Sequence, residues 1–124
     1  MGSQTNYVVR INRNGHFVYA NAEFYKTFQH TPEELLGVPF ITTIFPKDIA
    51  YCKEIAEDSW RNPGKINKLL LRKPISTNTI SNTRNFLWTE WEFLSLVDDY
   101  GQVAEIQAIG LNVTERVQIG RAHV

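Results

Sequence analysis

The chain has 124 residues, 43% of them hydrophobic and 21% charged, with thirteen basic against thirteen acidic side chains. That is one domain of ordinary globular composition, and its charge balance gives no electrostatic reason to expect nucleic acid or an anionic membrane as partner. No apolar run approaches the ~20 residues that span a bilayer, no secretory h-region opens the sequence, and the single cysteine, Cys52, excludes an internal disulfide, which fits a reducing, cytoplasmic setting.

Tyr7 to Asn12 alternates along a strand, Arg13-Asn14-Gly15 supplies an Asn-Gly turn, and His16 to Ala20 returns as a second strand. Phe24, Tyr25 and Phe28 fall at helical spacing, which places a short helix from about Asn21 to Gln29. Thr31-Pro32-Glu33-Glu34 has the form of a capping box with proline at the first helical position, and Gly37 stops that helix. The Thr31 cap alone is worth about 1 kcal/mol. His16 and His30 fall at a hairpin and a loop, positions that are normally solvated.

Ile49 to Arg61 reads as the one long helix, with Cys52, Ile55, Ala56 and Trp60 near one face and Lys53, Glu54, Glu57 and Asp58 on the other. Pro63-Gly64 ends it, Lys65 to Lys73 forms a strand, and Ser76 to Arg84 is a polar loop. A hairpin follows, running from Asn85 through a turn at Asp99-Tyr100-Gly101 and back from Val103 to Gly110. Its second strand empties into Leu-Asn-Val-Thr-Glu-Arg, where Thr114 is placed to cap a helix and Glu115 to favour its positive end. Strands, short helices and strands in that order make an α+β domain with an antiparallel sheet.

Alternation also orients the last hairpin. Glu90 and Glu92 mark a wet face shared by Trp88 and Leu94, so Thr89, Trp91 and Phe93 point inward, and Ile106, Ala108 and Gly110 do so on the final strand. A large aromatic beside two carboxylates makes Trp88 the candidate for a surface covered by another helix or subunit.

Assembled in order, these segments resemble a PAS domain from about Tyr7 to Arg116. Tyr19-Ala20-Asn21-Ala22 is similar to the family's approach to its first helix. Pro32-Glu33-Glu34-Leu35-Leu36-Gly37 resembles its Glu-Leu-Leu-Gly segment, and Phe45-Pro46-Lys47-Asp48 its His-Pro-Asp-Asp. Trp88-Thr89-Glu90-Trp91 matches a Trp-x-Glu-Trp strand, and Asn112-Val113-Thr114-Glu115-Arg116 stands where members carry Asp-Ile-Thr-Glu-Arg. The resemblance implies a five-stranded antiparallel sheet flanked by short helices. It also implies a domain over residues 5–116 that detects a ligand or cofactor, or dimerises, inside a larger bacterial signalling protein. Asn112 for Asp is a departure that removes a charge, and with it any salt bridge made there.

The family's flavin chemistry needs a Gly-x-Asn-Cys-Arg-Phe-Leu-Gln segment that this chain lacks, and the flavin-reading glutamine corresponds to Gly110. Haem-binding members use a histidine in or just after the long helix, and none occurs between Asp48 and Leu71. Neither cofactor is therefore expected. Cys52, on the apolar side of the helix, reads as a buried inert thiol. Glu33-Glu34, Glu57-Asp58 and Asp98-Asp99 are neighbours in sequence that diverge in space, so neither a catalytic pair nor a metal site is expected. The candidate lining of a ligand pocket is Phe28, Phe40, Ile44, Tyr51, Ile55 and Trp60 from the helices with Leu69, Thr89, Trp91, Phe93 and Ala108 from the sheet.

The expected function is sensory input to a histidine kinase or cyclic-dinucleotide enzyme, with Asn112, Thr114 and Glu115 relaying a change in the sheet to an outgoing helix. The alternative is a ligand-free protein-protein interaction module in which the Trp88 face mediates homodimerisation or docking. Residues 117–124 are either the start of that helix or an artefactual tail. Ile-Gly-Arg-Ala-His-Val back-translates as ATC GGA AGA GCA CAC GTC, which resembles a common sequencing adapter, so the natural chain is expected to continue past Val117 or Gln118.

Overall fold

One asparagine organises the first third of the chain. A computed structural model describes residues 6–75 and 85–122. In it the Asn21 carboxamide oxygen accepts from Val8 N at 3.0 Å and Phe24 N at 3.2 Å. It thereby caps the helix Ala22–Phe28 (α1) and ties it to the strand Tyr7–Ile11 (β1). The returning strand is Phe17–Ala20 (β2). Pro32–Leu35 (α2) starts as expected at Thr31, whose hydroxyl accepts from Glu34 N at 3.3 Å. That hydroxyl gives its own proton to the Glu34 carboxylate at 3.0 Å, so the carboxylate is bound to the hydroxyl.

Two short 3-10 turns, Phe40–Thr43 and Pro46–Asp48, lead into Ile49–Arg61 (α3), whose bounds match those read from the sequence. Then come Asn67–Pro74 (β3), Phe86–Val97 (β4), Val103–Asn112 (β5) and Thr114–Ala122 (α4). The polar loop expected over residues 76–84 lies outside the described residues, as do Thr5 and the last two residues of the suspected tail. No helix among the described residues is long and apolar enough to cross a membrane.

The five strands form one antiparallel sheet in the order β2-β1-β5-β4-β3. Its inner face alternates as the carboxylates of β4 indicated: Thr89, Trp91, Phe93 and Ser95 are buried, and so are Ile106, Ala108 and Gly110 opposite them. Helices α1, α2 and α3 cover this face with Phe24, Phe28, Leu35, Cys52 and Ala56. Trp91 pairs with Gly110 across the β4–β5 ladder, and a Cβ at Gly110 would sit 2.6 Å from the indole. Glycine is what lets the Trp91 indole lie against its cross-strand neighbour.

Polar contacts set the height of α3 above the sheet. Ser59 is fully buried and its hydroxyl accepts from Asn67 Nδ2 at 2.9 Å, while Ser95 Oγ donates to the Ser59 carbonyl at 3.0 Å. At the other end Asp48 takes the Arg72 backbone N–H at 2.8 Å and, along one edge of its guanidinium, Nε at 3.1 Å and Nη2 at 2.6 Å. Charge-assisted bonds of this bidentate kind fix orientation as well as distance.

Candidate functional site: the interior cavity

Between the sheet and the helices lies a cavity of about 30 Å³. Five of the residues expected to line a pocket do so: Phe40, Ile44, Trp91, Phe93 and Ala108. Phe28, Leu69 and Thr89 are buried elsewhere in the core, and Ile55 and Trp60 pack against it half-buried. Tyr51 is a correction, since it is 44% exposed on the far side of α3. Successive helical residues turn by about 100°, so putting Cys52, Ala56 and Ser59 against the sheet swings Tyr51 out.

Val9, Ile11, Phe17, Cys52, Leu71, Lys73 and Ile106 complete the wall. An ordered water needs at least about 10–15 Å³, whereas a cavity that admits benzene measures about 150 Å³. The space therefore suits a ligand of a few heavy atoms and excludes a ring.

Among the described residues Lys73 is the one charged side chain in this wall, and it is only 5% exposed. The alternation Asn67, Leu69, Leu71, Lys73 carries it inward at the end of β3, a signal present in the sequence once Leu69 is placed inside. Its ammonium donates to Thr43 Oγ1 at 2.7 Å and stands 5.4 and 5.6 Å from the ring centres of Phe24 and Trp91. Hydrogen bonding and the two ring faces offset part of the cost of burying a charge. Burial still pulls its pKa down to about 8. The Trp91 indole is itself fixed, donating to Thr89 Oγ1 at 2.7 Å while Thr89 donates to the Leu71 carbonyl.

Two neighbours feel this site. Cys52 is fully buried and its thiol is pushed up to about 12, chiefly by desolvation. His30, expected in solvent, is instead 8% exposed and stacks on Phe24 at 6.1 Å. Burial first, and the Lys73 charge second, lower its pKa, so it packs as a neutral ring. The loop position did not reveal this because α1 has to be in place before Phe24 can cover the imidazole.

The junction with α4 also differs from expectation. Thr114 is the first residue of the helix and not its cap. Its hydroxyl accepts from Trp88 N at 2.9 Å and donates to Asn112 Oδ1 at 2.7 Å, and the same Oδ1 receives Thr114 N at 3.1 Å. A neutral carboxamide thus fills both acceptor roles without a charge. The ion pair here is Arg116 with Glu90 at 3.3 Å, exposed and so worth little. Glu115 is exposed. Trp88 is half-buried on the outer face, edge-on to Phe86 at 6.0 Å with the Arg72 guanidinium 5.2 Å from its ring centre.

A five-stranded antiparallel sheet of this order, roofed on one side by short helices over a small chamber, defines an α+β domain. The fold is that of a PAS domain. Solved structures similar to this chain include the PAS domain of a protein from Colwellia psychrerythraea, at 14% identity and a TM-score of 0.74 over 89% of this chain and 87% of that one. The N-terminal domain of a diguanylate cyclase with PAS/PAC sensor from Marinobacter aquaeolei is similar at 14% identity and 0.68, over 90% and 98%. A domain described as belonging to a light and redox sensing histidine kinase from Haloarcula marismortui is similar at 12% and 0.69, over 90% and 92%. No protein-family model matches the sequence, and no curated protein matches it significantly.

Proposed function

We propose that this domain is the sensory input module of a larger signalling protein of the histidine-kinase or cyclic-dinucleotide class, with any catalysis residing in a separate output domain. On this reading a change at the interior cavity moves β4 and reaches α4 through Thr114. One observation carries the reading: Thr114 Oγ1 accepts the N–H of Trp88, adjacent to Thr89, whose hydroxyl holds the Trp91 indole of the cavity wall. Four residues of one strand thus connect the cavity to the first turn of the last helix.

The test is amide NMR on the domain. Ala108→Val, which crowds the cavity, is expected to shift the amides of residues 115–120, and adding Thr114→Val is expected to suppress those shifts. Shifts that never reach α4, or that ignore Thr114, would sink the relay. A second reading, a homodimerisation module, draws support from exposed apolar side chains on the edge strands, namely Val18, Tyr19 and Leu70. Trp88→Glu should then convert a dimer to a monomer in sedimentation velocity, whereas the relay reading leaves the mass unchanged.

A further inference from the structure

Among the described residues Lys73 has no counterion. All thirteen acidic residues of the chain fall within the described residues, and the ion pairs among them join Asp58 to Lys65, Glu92 to Lys68, Asp48 to Arg72 and Glu90 to Arg116. Residues 76–84, which follow the strand bearing Lys73, contain no aspartate or glutamate. An ammonium has three donors, and among the described residues Thr43 Oγ1 is the one hydrogen-bond acceptor it meets. The Thr43 hydroxyl is itself committed, donating to the Phe40 carbonyl at 2.9 Å. A cation 5% exposed, with donors to spare, therefore stands in the wall of a cavity of about 30 Å³ whose other lining is aliphatic, aromatic or a thiol.

We infer that the cavity is a receptor for a small monovalent anion, of halide to formate size, seated on the Lys73 ammonium. Size and charge both select. The volume admits one to three heavy atoms and turns away sulfate, phosphate and dicarboxylates, and the apolar wall offers nothing to solvate a second negative charge. Phe24 and Trp91 present their faces to the ammonium, which leaves the anion to approach from the open side of Nζ. This inference rests on the sensory reading only for its consequence, since the binding event stands without it.

The experiment uses the domain in a chloride-free gluconate buffer at constant ionic strength and pH 7. Sodium formate is titrated while melting temperature and ¹⁵N amide spectra are followed, with sodium chloride and sodium sulfate in parallel arms. Formate or chloride is expected to stabilise saturably, with the moving amides confined at first to residues around Lys73, Thr43 and Trp91. Sulfate is expected to do nothing. Lys73→Met should weaken the response by a factor of about ten or more, the loss of one buried charge contact. A nuclear Overhauser effect from the formate proton to the Trp91 or Phe93 ring checks the wild-type site independently of any variant. Equal responses to sulfate and formate, an unchanged response in Lys73→Met, or no saturable response to either small anion overturns the inference. If formate binds and α4 amides stay still, the anion site stands and the relay falls. If formate fails to bind while Ala108→Val still moves α4, the reverse holds.

Discussion

Replacing Lys73 by Met should stabilise the domain, although it removes a hydrogen bond. A free lysine titrates at 10.5 and Lys73 at about 8, which at about 1.4 kcal/mol per pH unit is a charging cost of about 3 kcal/mol. Met has nearly the same length and volume and packs against Phe24 and Trp91 without that cost, while losing the bond to Thr43, worth about 1 kcal/mol. The net expectation at pH 7 is a gain of about 2 kcal/mol.

The sign with pH follows from the lowered pKa. Below about 8 the folded protein holds Lys73 charged and bears the full cost; from there to 10.5 the unfolded chain binds more protons, so wild-type stability relative to the variant rises. Above that range the variant should be the less stable of the two by about 1 kcal/mol, the Thr43 bond alone. The assay is urea unfolding followed by tryptophan fluorescence at pH 7, 9 and 10.5, for both proteins in chloride-free buffer so that no anion complicates the comparison. Shared titrations, such as the raised Tyr7 and Tyr25, cancel in the difference. A variant less stable than wild type at pH 7, or a difference that does not change with pH, would refute the argument.

Gly110→Ala should cost about 2 kcal/mol in the same assay, because its Cβ would fall 2.6 Å from an indole that Thr89 holds in place. Burial raises the Asp48 carboxyl, but the Arg72 bonds and charge outweigh it and hold the group below its usual 3.8. Its contribution is therefore present above pH 4 and lost as the pH falls through the lower folded value, so Asp48→Asn should lose about 2 kcal/mol at neutral pH and flatten the acid limb of the stability curve. Cys52 should not react with a thiol-specific disulfide reagent at pH 8 until the protein unfolds, and fast labelling of the native protein would contradict its burial.

What could be read before folding was local or periodic. The ends of α3 follow from Pro46 and Pro63-Gly64, and the inner face of β4 follows from Glu90 and Glu92, because one helix or one strand contains the whole signal. Thr31 behaved as its position required. What escaped was set by residues distant in sequence. Lys73 sits in phase with Leu69 and Leu71, yet lysine is seldom buried; Thr43, thirty positions earlier, and the rings of Phe24 and Trp91 make its burial tolerable. Thr114 has the side chain of a cap, but Trp88 of β4 claims its hydroxyl. The cavity was half-legible, since hydrophobic periodicity says which side chains face inward and not how completely they fill the space.

β1 and β5 lie side by side and antiparallel, with Tyr7 opposite Gly110, so the chain arrives and departs at the same end of the sheet. Tension applied to the two flanking segments would load that ladder one hydrogen bond at a time, the peeling geometry, and would not shear all of its bonds together. The first resistance it would meet is Asn21, which holds the Asn6 carbonyl at 2.8 Å and the Val8 N–H at 3.0 Å, just where peeling begins. Mechanically, this domain is a zipper whose pull-tab is pinned by one carboxamide.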